Sequence, residues 1–188
     1  MSAEETIQTI MQLFRDYGER DYIGENVTQL DHMIQTAMCA ERDGADDQTI
    51  VAAFLHDIGH LLGLQQQHDQ MDDYGTANHD QIGADYLRQH NFPYKVCKLV
   101  ENHVLAKRYM ITLDPTYYNL LSNASKKTLE YQGGRMSDDE MYEFDTDPYK
   151  QIYIQFRTWE DSSKKMYAEL QPLEKYEKLM RKILFSIY

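Results

Sequence analysis

His56 and Asp57 stand side by side in Val51-Ala52-Ala53-Phe54-Leu55-His56-Asp57-Ile58-Gly59-His60, a run otherwise apolar enough to be buried. A carboxylate removed from water there costs on the order of several kcal/mol unless it is paired or coordinated, so a bound cation is the simplest compensation. Five of the seven histidines, His32, His56, His60, His79 and His103, fall where they can share one site. Imidazole with carboxylate is a borderline-to-hard ligand set that suits iron, manganese, nickel or zinc. The two cysteines, Cys39 and Cys97, sit in apolar helical patterns and read as reduced core thiols. His56 and His60 are four apart and share a helix face, as do His103 and Lys107. A lysine one turn from a metal ligand suggests an oxyanion site, for a small phosphate or phosphonate that lysine and metal stabilise together. Arg157, in Phe156-Arg157-Thr158-Trp159-Glu160-Asp161, is a second such cation, whereas His68 and His90 lie in polar surroundings and read as surface residues.

These residues need helices to bring them together. Apolar positions recur at three- and four-residue spacing almost throughout, from Ile7, Ile10, Met11 and Phe14 to Leu179, Met180, Ile183, Leu184 and Ile187. The periodicity predicts helices near 3–19, 28–42, 47–63, 79–91, 94–109, 116–130, 137–144, 148–169 and 172–187, with no alternating strand run and no internal repeat. Gly24, Gly44, Gly75, Pro93 and Gly133-Gly134 punctuate this scheme, Asp46 and Asp47 are candidate caps of the third helix, and Ser137 with Glu140 has capping-box spacing. The polar stretch Gln65 to Asp73 reads as a solvated loop.

At 188 residues the chain fits one domain with one core, assigned here to residues 1–188. Nineteen basic against 31 acidic residues give a net charge of −12, which opposes binding to a nucleic-acid backbone or an anionic membrane. No run reaches the roughly 18 apolar residues of a membrane span, and the first residues lack a signal-like pattern, so the expectation is a cytoplasmic protein. Its partners are then small molecules, and its oligomeric state is open.

His32, then His56-Asp57, then an acidic residue on a late helix, resembles the HD-domain superfamily of all-helical metal-dependent phosphohydrolases and oxygenases. More specifically, Tyr22-Ile23-Gly24-Glu25-Asn26-Val27-Thr28-Gln29-Leu30-Asp31-His32, His103-x-x-x-Lys107-Arg108-Tyr109 and Arg157-x-Trp159 are similar to the 2-amino-1-hydroxyethylphosphonate dioxygenase branch, related to myo-inositol oxygenase. The match runs from about Tyr22 to Lys165. It implies an all-α HD-domain helical bundle and a mixed-valent Fe(II)/Fe(III) pair of iron ions. His32, His56, Asp57 and a late carboxylate would hold one iron, and Asp57, His79 and His103 the other. The family run is similar to Arg-x-Trp-Asp, so strict register here gives Glu160 and a one-residue helical shift gives Asp161; we favour Asp161, because the family uses Asp there.

By the same resemblance Tyr22 would occupy an iron position at rest and leave when substrate binds, and Glu25 would pair with the substrate ammonium. His60, Lys107, Ser125 and Arg157 would receive the phosphonate, and cleavage of the carbon-phosphorus bond with O2 would release glycine and phosphate. Two other readings share the ligand set: an HD-type hydrolase of phosphomonoesters or nucleotides, in which a metal-bound hydroxide attacks phosphorus, and a degenerate helical binding module. An N-trimethylated substrate is a further alternative, since Tyr22 could contact it by cation–π attraction.

Overall fold

The computed structural model describes residues 1–22, 24–72 and 74–186. Ile23 of the Tyr22 motif, Asp73 of the polar loop and Ile187 of the last helix lie outside the described residues. The chain is all-α: α1 Ala3–Tyr17, α2 Gln29–Arg42, α3 Asp47–Leu55, α4 Ile58–Gln66, α5 His79–Gln89, α6 Tyr94–Leu113, a 3-10 helix Pro115–Leu120, α7 Asn123–Tyr131, α8 Asp138–Thr146, α9 Lys150–Asp161 and α10 Leu173–Phe185. Several starts follow from local chemistry, because the first amides of a helix need acceptors. Ser2 with Glu5 and Ser137 with Glu140 form capping boxes, and Thr28, Asp46 and Ser122 accept from backbone amides at the heads of α2, α3 and α7.

Helix α6 is the spine, lying against α3, α5 and α9; α2 lies against α3 and α9, while α1 and α10 pack on each other and cover α4 and α3 respectively. Phe14, Phe54 and Tyr176 stack where these outer helices meet α3, with centroids 4.7 and 4.5 Å apart. Among the described residues no helix is long and apolar enough to cross a membrane. No strand occurs among them either; two isolated bridges, Asp21 to Thr28 and Gln70 to Thr76, close the loops ahead of α2 and α5.

Three expected helices differ from those observed. The segment 47–63 is divided at His56-Asp57, where Asp57 takes φ −100° and ψ 13°, outside the helical well. The periodicity does not reveal this break, because both halves are buried on all sides and the apolar pattern continues across it. The segment 116–130 splits into the 3-10 turn and α7, since Ser122 caps a new helix rather than extending the old one. Finally, 148–169 stops at Asp161. The hydroxyls of Ser162 and Ser163 there donate back to the Thr158 and Trp159 carbonyls, at 2.8 and 2.6 Å, in the local competition that ends helices.

Gly59 and Gly63, one turn apart, leave a bare face on α4. A Cβ at Gly59 would lie 1.9 Å from the His79 carbonyl oxygen, and one at Gly63 would lie 2.2 Å from the Thr76 hydroxyl. The absent side chains let the head of α5 and the loop before it press directly onto α4, which sets where His79 and Thr76 stand.

Candidate metal centre and its cation-lined cavity

Helices α2, α5, α6 and α9 and the α3–α4 break converge on one buried cluster. Ligand atoms of His32, His56 and Glu160 lie within 4.8 Å of one another, and so do those of Asp57, His60 and His79. Asp57 joins the two groups. Its Oδ2 is 3.2 Å from His56 Nε2 and 3.7 Å from His32 Nε2, while its Oδ1 is 3.4 Å from both His79 and His103 Nε2 and 3.9 Å from His60 Nε2.

The second nitrogen of each ring decides what the first can do. His32, His56 and His103 donate from Nδ1 to the Ser163, Ala53 and Val100 carbonyls at 2.7–2.8 Å, and His79 donates to the Thr76 carbonyl at 3.3 Å. With those protons used, four Nε2 lone pairs face inward, a carbonyl-fixed arrangement characteristic of metal ligands. His32 and His56 Nε2 are 3.1 Å apart, as are those of His79 and His103. Two bare lone pairs at that distance repel, whereas two nitrogens bound at about 2.1 Å to one ion at right angles sit about 3 Å apart. Asp57 Oδ2 and Glu160 Oε2 are buried and, among the described residues, find no hydrogen-bond partner. The residues therefore fit bound cations.

His60 is the exception. Its Nδ1 accepts from the Thr76 backbone N–H at 2.9 Å, so the neutral ring carries its proton on Nε2 and aims a donor into the site. Burial and the neighbouring His79 hold its pKa well below the ordinary value, which keeps the ring neutral. It stands within ligand distance but offers a hydrogen bond instead of a lone pair.

Burial, with His56 adding, pulls His32 down to about 3, and burial, with His103 opposing the charge, does the same for His79. Asp57 is buried, which pushes it up, yet His56 and His103 hold it well below the usual carboxylate range. His103 goes the other way: burial opposes its charged form, but Asp57 and Glu160 raise it.

Of the two late acids, the helix turns Glu160 into the cluster. Glu160 is 7 % exposed and receives Arg157 at 2.6 Å, whereas Asp161 is 27 % exposed and is engaged by Tyr117 and the other Arg157 nitrogen. Strict register, not the one-residue shift favoured on sequence, describes the geometry, and the longer Glu side chain spans the difference. Burial pushes Glu160 up, but the Arg157 guanidinium brings it to about 2. Arg157 is thus spent on positioning: Nε faces the Tyr117 hydroxyl at 3.3 Å and both terminal nitrogens face acids. Arg157→Ala would strand Glu160 as an unpaired buried charge at a cost of about 3 kcal/mol. Chemical denaturation should show that loss in metal-free protein and a smaller one in metal-loaded protein, where a cation still compensates Glu160; an equal loss in both would remove Glu160 from the metal site.

Against this cluster lies a small cavity of about 30 Å³, lined by Tyr22, His60, Lys107, Ser125, Thr128 and Lys164 among others. Tyr22 is buried and stacked on the His32 ring, with centroids 4.0 Å apart and planes 18° apart, and burial with Asp57 nearby raises its hydroxyl pKa well above the ordinary value. Lys107 Nζ donates to Thr128 Oγ1 at 2.9 Å, and burial, with Arg157 adding, pushes its amine down to about 7. A wider cavity of about 560 Å³ is lined by His60 together with Arg20, Gln29, Gln70 and Thr76, and among the described residues His60 is the one that lines both cavities. Of the expected site residues, Asp161 and Glu25 stand outside the cluster and the cavity lining, Glu25 being paired with Lys164, and the others reach one or the other.

Sequence reasoning overlooked Thr76, Thr128, Ser163, Tyr117 and Lys164. Thr76 and Ser163 act through backbone atoms, which leave no mark on residue type. Thr128 was legible as the i+3 neighbour of Ser125 on α7, but Lys164, in Ser162-Ser163-Lys164-Lys165, looks like any solvated lysine.

Comparison with known proteins places these residues in a lineage. The HD domain family profile matches residues 30–142. The chain is 42 % identical over 176 residues to an uncharacterized protein of Acanthamoeba polyphaga mimivirus, covering 94 % of this chain and 80 % of that one. It is 35 % identical over 174 residues to the hydroxymethylphosphonate dioxygenase of Gimesia maris, covering 92 % and 85 %. It is 37 % identical over 166 residues to the [1-hydroxy-2-(trimethylamino)ethyl]phosphonate dioxygenase (glycine-betaine-forming) of Leisingera caerulea, covering 87 % and 82 %. With its helical fold, its paired His56-Asp57 and relatives matched over most of their length, the chain belongs to the HD-domain family, in the branch that includes these phosphonate dioxygenases.

Proposed function

We propose that this protein is a di-iron oxygenase that cleaves the carbon-phosphorus bond of a small 1-hydroxyphosphonate, consuming one O2 and releasing phosphate and a carboxylate. The observation that carries the reading is Asp57, a single carboxylate set between two histidine groups beside a cavity faced by cations. In this reading His32, His56, Asp57 and Glu160 hold one iron and Asp57, His79 and His103 the other. The iron pair, when bound, supplies the activation of O2 and the single-electron steps that the protein's own side chains cannot.

The chain's residues do the rest. Lys107, held by Thr128, and the Nε2–H of His60 supply donors for phosphonate oxygens at the cavity wall, and Ser125 adds a hydroxyl. Tyr22 covers the cluster over His32 and must shift to admit a ligand larger than the cavity. Arg157 keeps Glu160 ionised and aimed inward rather than touching the phosphonate.

Resemblance points to 2-amino-1-hydroxyethylphosphonate, with glycine as the carboxylate. The two phosphonate dioxygenases named above are named for phosphonates that differ in the group attached to the hydroxylated carbon, which supports the 1-hydroxyphosphonate class. Anaerobically purified, iron-loaded protein should take up one O2 per phosphate released from a 1-hydroxyphosphonate. Phosphate release from ordinary phosphomonoesters with no oxygen uptake would instead assign the hydrolase.

A further inference from the structure

Glu25, the carboxylate that by resemblance would meet a substrate ammonium, already has a cation of the protein's own. Lys164 Nζ lies 3.0 Å from Glu25 Oε1, 3.1 Å from Ser122 Oγ and 3.2 Å from Ser125 Oγ. The pair is largely shielded, at 14 % and 17 % exposure, and the ammonium sits 5.8 Å from the Tyr22 ring centroid, within cation–π range. Carboxylate, two hydroxyls and an aromatic face are what a substrate ammonium would require, and Lys164 occupies all of them.

The lysine is also held in place. Lys165 N–H donates to Gln35 Oε1 at 3.0 Å, Gln35 Nε2 donates to the Lys165 carbonyl at 3.0 Å, and the Ser163 carbonyl receives His32 Nδ1–H at 2.8 Å. The backbone on both sides of Lys164 is thereby tied to α2, and one of the ties is the carbonyl that orients a candidate metal ligand. Retreat of Lys164 to make way for a substrate cation would disturb that support.

Resting on the hydroxyphosphonate reading, we propose that Lys164 is a specificity-determining residue: it takes the place of the substrate ammonium, so the site selects 1-hydroxyphosphonates without a cationic substituent and rejects aminated and N-methylated ones. A second ammonium brought beside Glu25 would meet Lys164 at close range, in a partly shielded site where like charges repel more strongly than in water. A neutral substituent, or none, avoids the conflict and leaves Lys164 facing the anionic phosphonate across the cavity that it lines with Lys107. The small free volume, about 30 Å³ with Lys164 and Tyr22 in place, favours the shortest members of the class.

The test is calorimetric binding to metal-loaded protein without oxygen, using hydroxymethylphosphonate and 2-amino-1-hydroxyethylphosphonate on the same preparations of wild type, Lys164→Ala and Lys164→Arg. Wild type should bind the unaminated compound about tenfold more tightly or better, Lys164→Ala should bring the ratio to within about threefold or invert it, and Lys164→Arg, which keeps the charge, should retain it. Using the ratio removes the effect of any fraction of misfolded variant. Equal or tighter binding of the aminated compound by wild type, or an unchanged ratio in Lys164→Ala, overturns the role of Lys164 and leaves the hydroxyphosphonate reading standing. Failure of both compounds to bind any of the three proteins, with no oxygen uptake, overturns that reading and this inference together.

Discussion

Asp57→Ala is expected to lower oxygenase activity by about a thousandfold or more and to remove bound metal from both halves of the site. The reason is geometric: one oxygen of Asp57 faces His32 and His56 while the other faces His79 and His103, so a single truncation withdraws negative charge from both groups at once. No neighbour replaces it, because Glu160 is held on the His32–His56 side by Arg157. The effect is readable without turnover. Metal present at about 100 times its dissociation constant stabilises a folded protein by about 2.7 kcal/mol, which for a chain of this size raises the melting temperature by about 5–10 °C. Wild type should show that rise on metal addition, and Asp57→Ala should show less than about 2 °C. Asp57→Asn, which preserves shape but not charge, should behave like the alanine variant. Full metal content by mass spectrometry in either variant would dismiss Asp57 as the shared ligand.

Gly59→Ala is expected to be the most damaging single-methyl change in the protein, costing about 4 kcal/mol and lowering the melting temperature by about 10 °C. The added carbon would lie 1.9 Å from the His79 carbonyl oxygen, 2.6 Å from its carbon and 2.9 Å from its Cα. Those are backbone atoms, so no rotamer change relieves the overlap; α4 and α5 must separate by about 1.5 Å to restore ordinary contact. Such a shift carries His79 away from Asp57, now 3.4 Å distant, and weakens the half-site it shares with His103. The variant should therefore lose metal from that half first, in contrast to Arg157→Ala, which acts on the Glu160 half. A melting temperature within about 2 °C of wild type, with both metals retained, would show that the α4–α5 contact yields without cost.

Both substitutions turn on the same short segment, and it divides what residue types can reveal from what they cannot. His56-Asp57 was conspicuous because two polar groups interrupt an apolar run and burial penalises them; that penalty is local and can be read from the chain. The break between α3 and α4 was not legible, since helices buried on all sides carry no periodic polar face to mark where one ends.

What the sequence by itself determined was the helical class, most helix positions, and the candidacy of Asp57 and the five histidines for one shared site, because periodicity, capping chemistry and the cost of a buried carboxylate are properties of residue type and spacing. What only the tertiary structure decided was which member of each ambiguous pair faces inward. Glu160 and Asp161 differ by 100° around α9, and packing against α2 and α6 selects Glu160. His60 differs from the four ligand-like histidines only in receiving a backbone N–H where they meet carbonyls. Lys164 becomes a site residue only because the chain after α9 is tied to Gln35 and His32. In each case the deciding partner is a backbone atom or a residue distant along the chain, and such partners are specified by the fold as a whole rather than by the identity of the residue they orient.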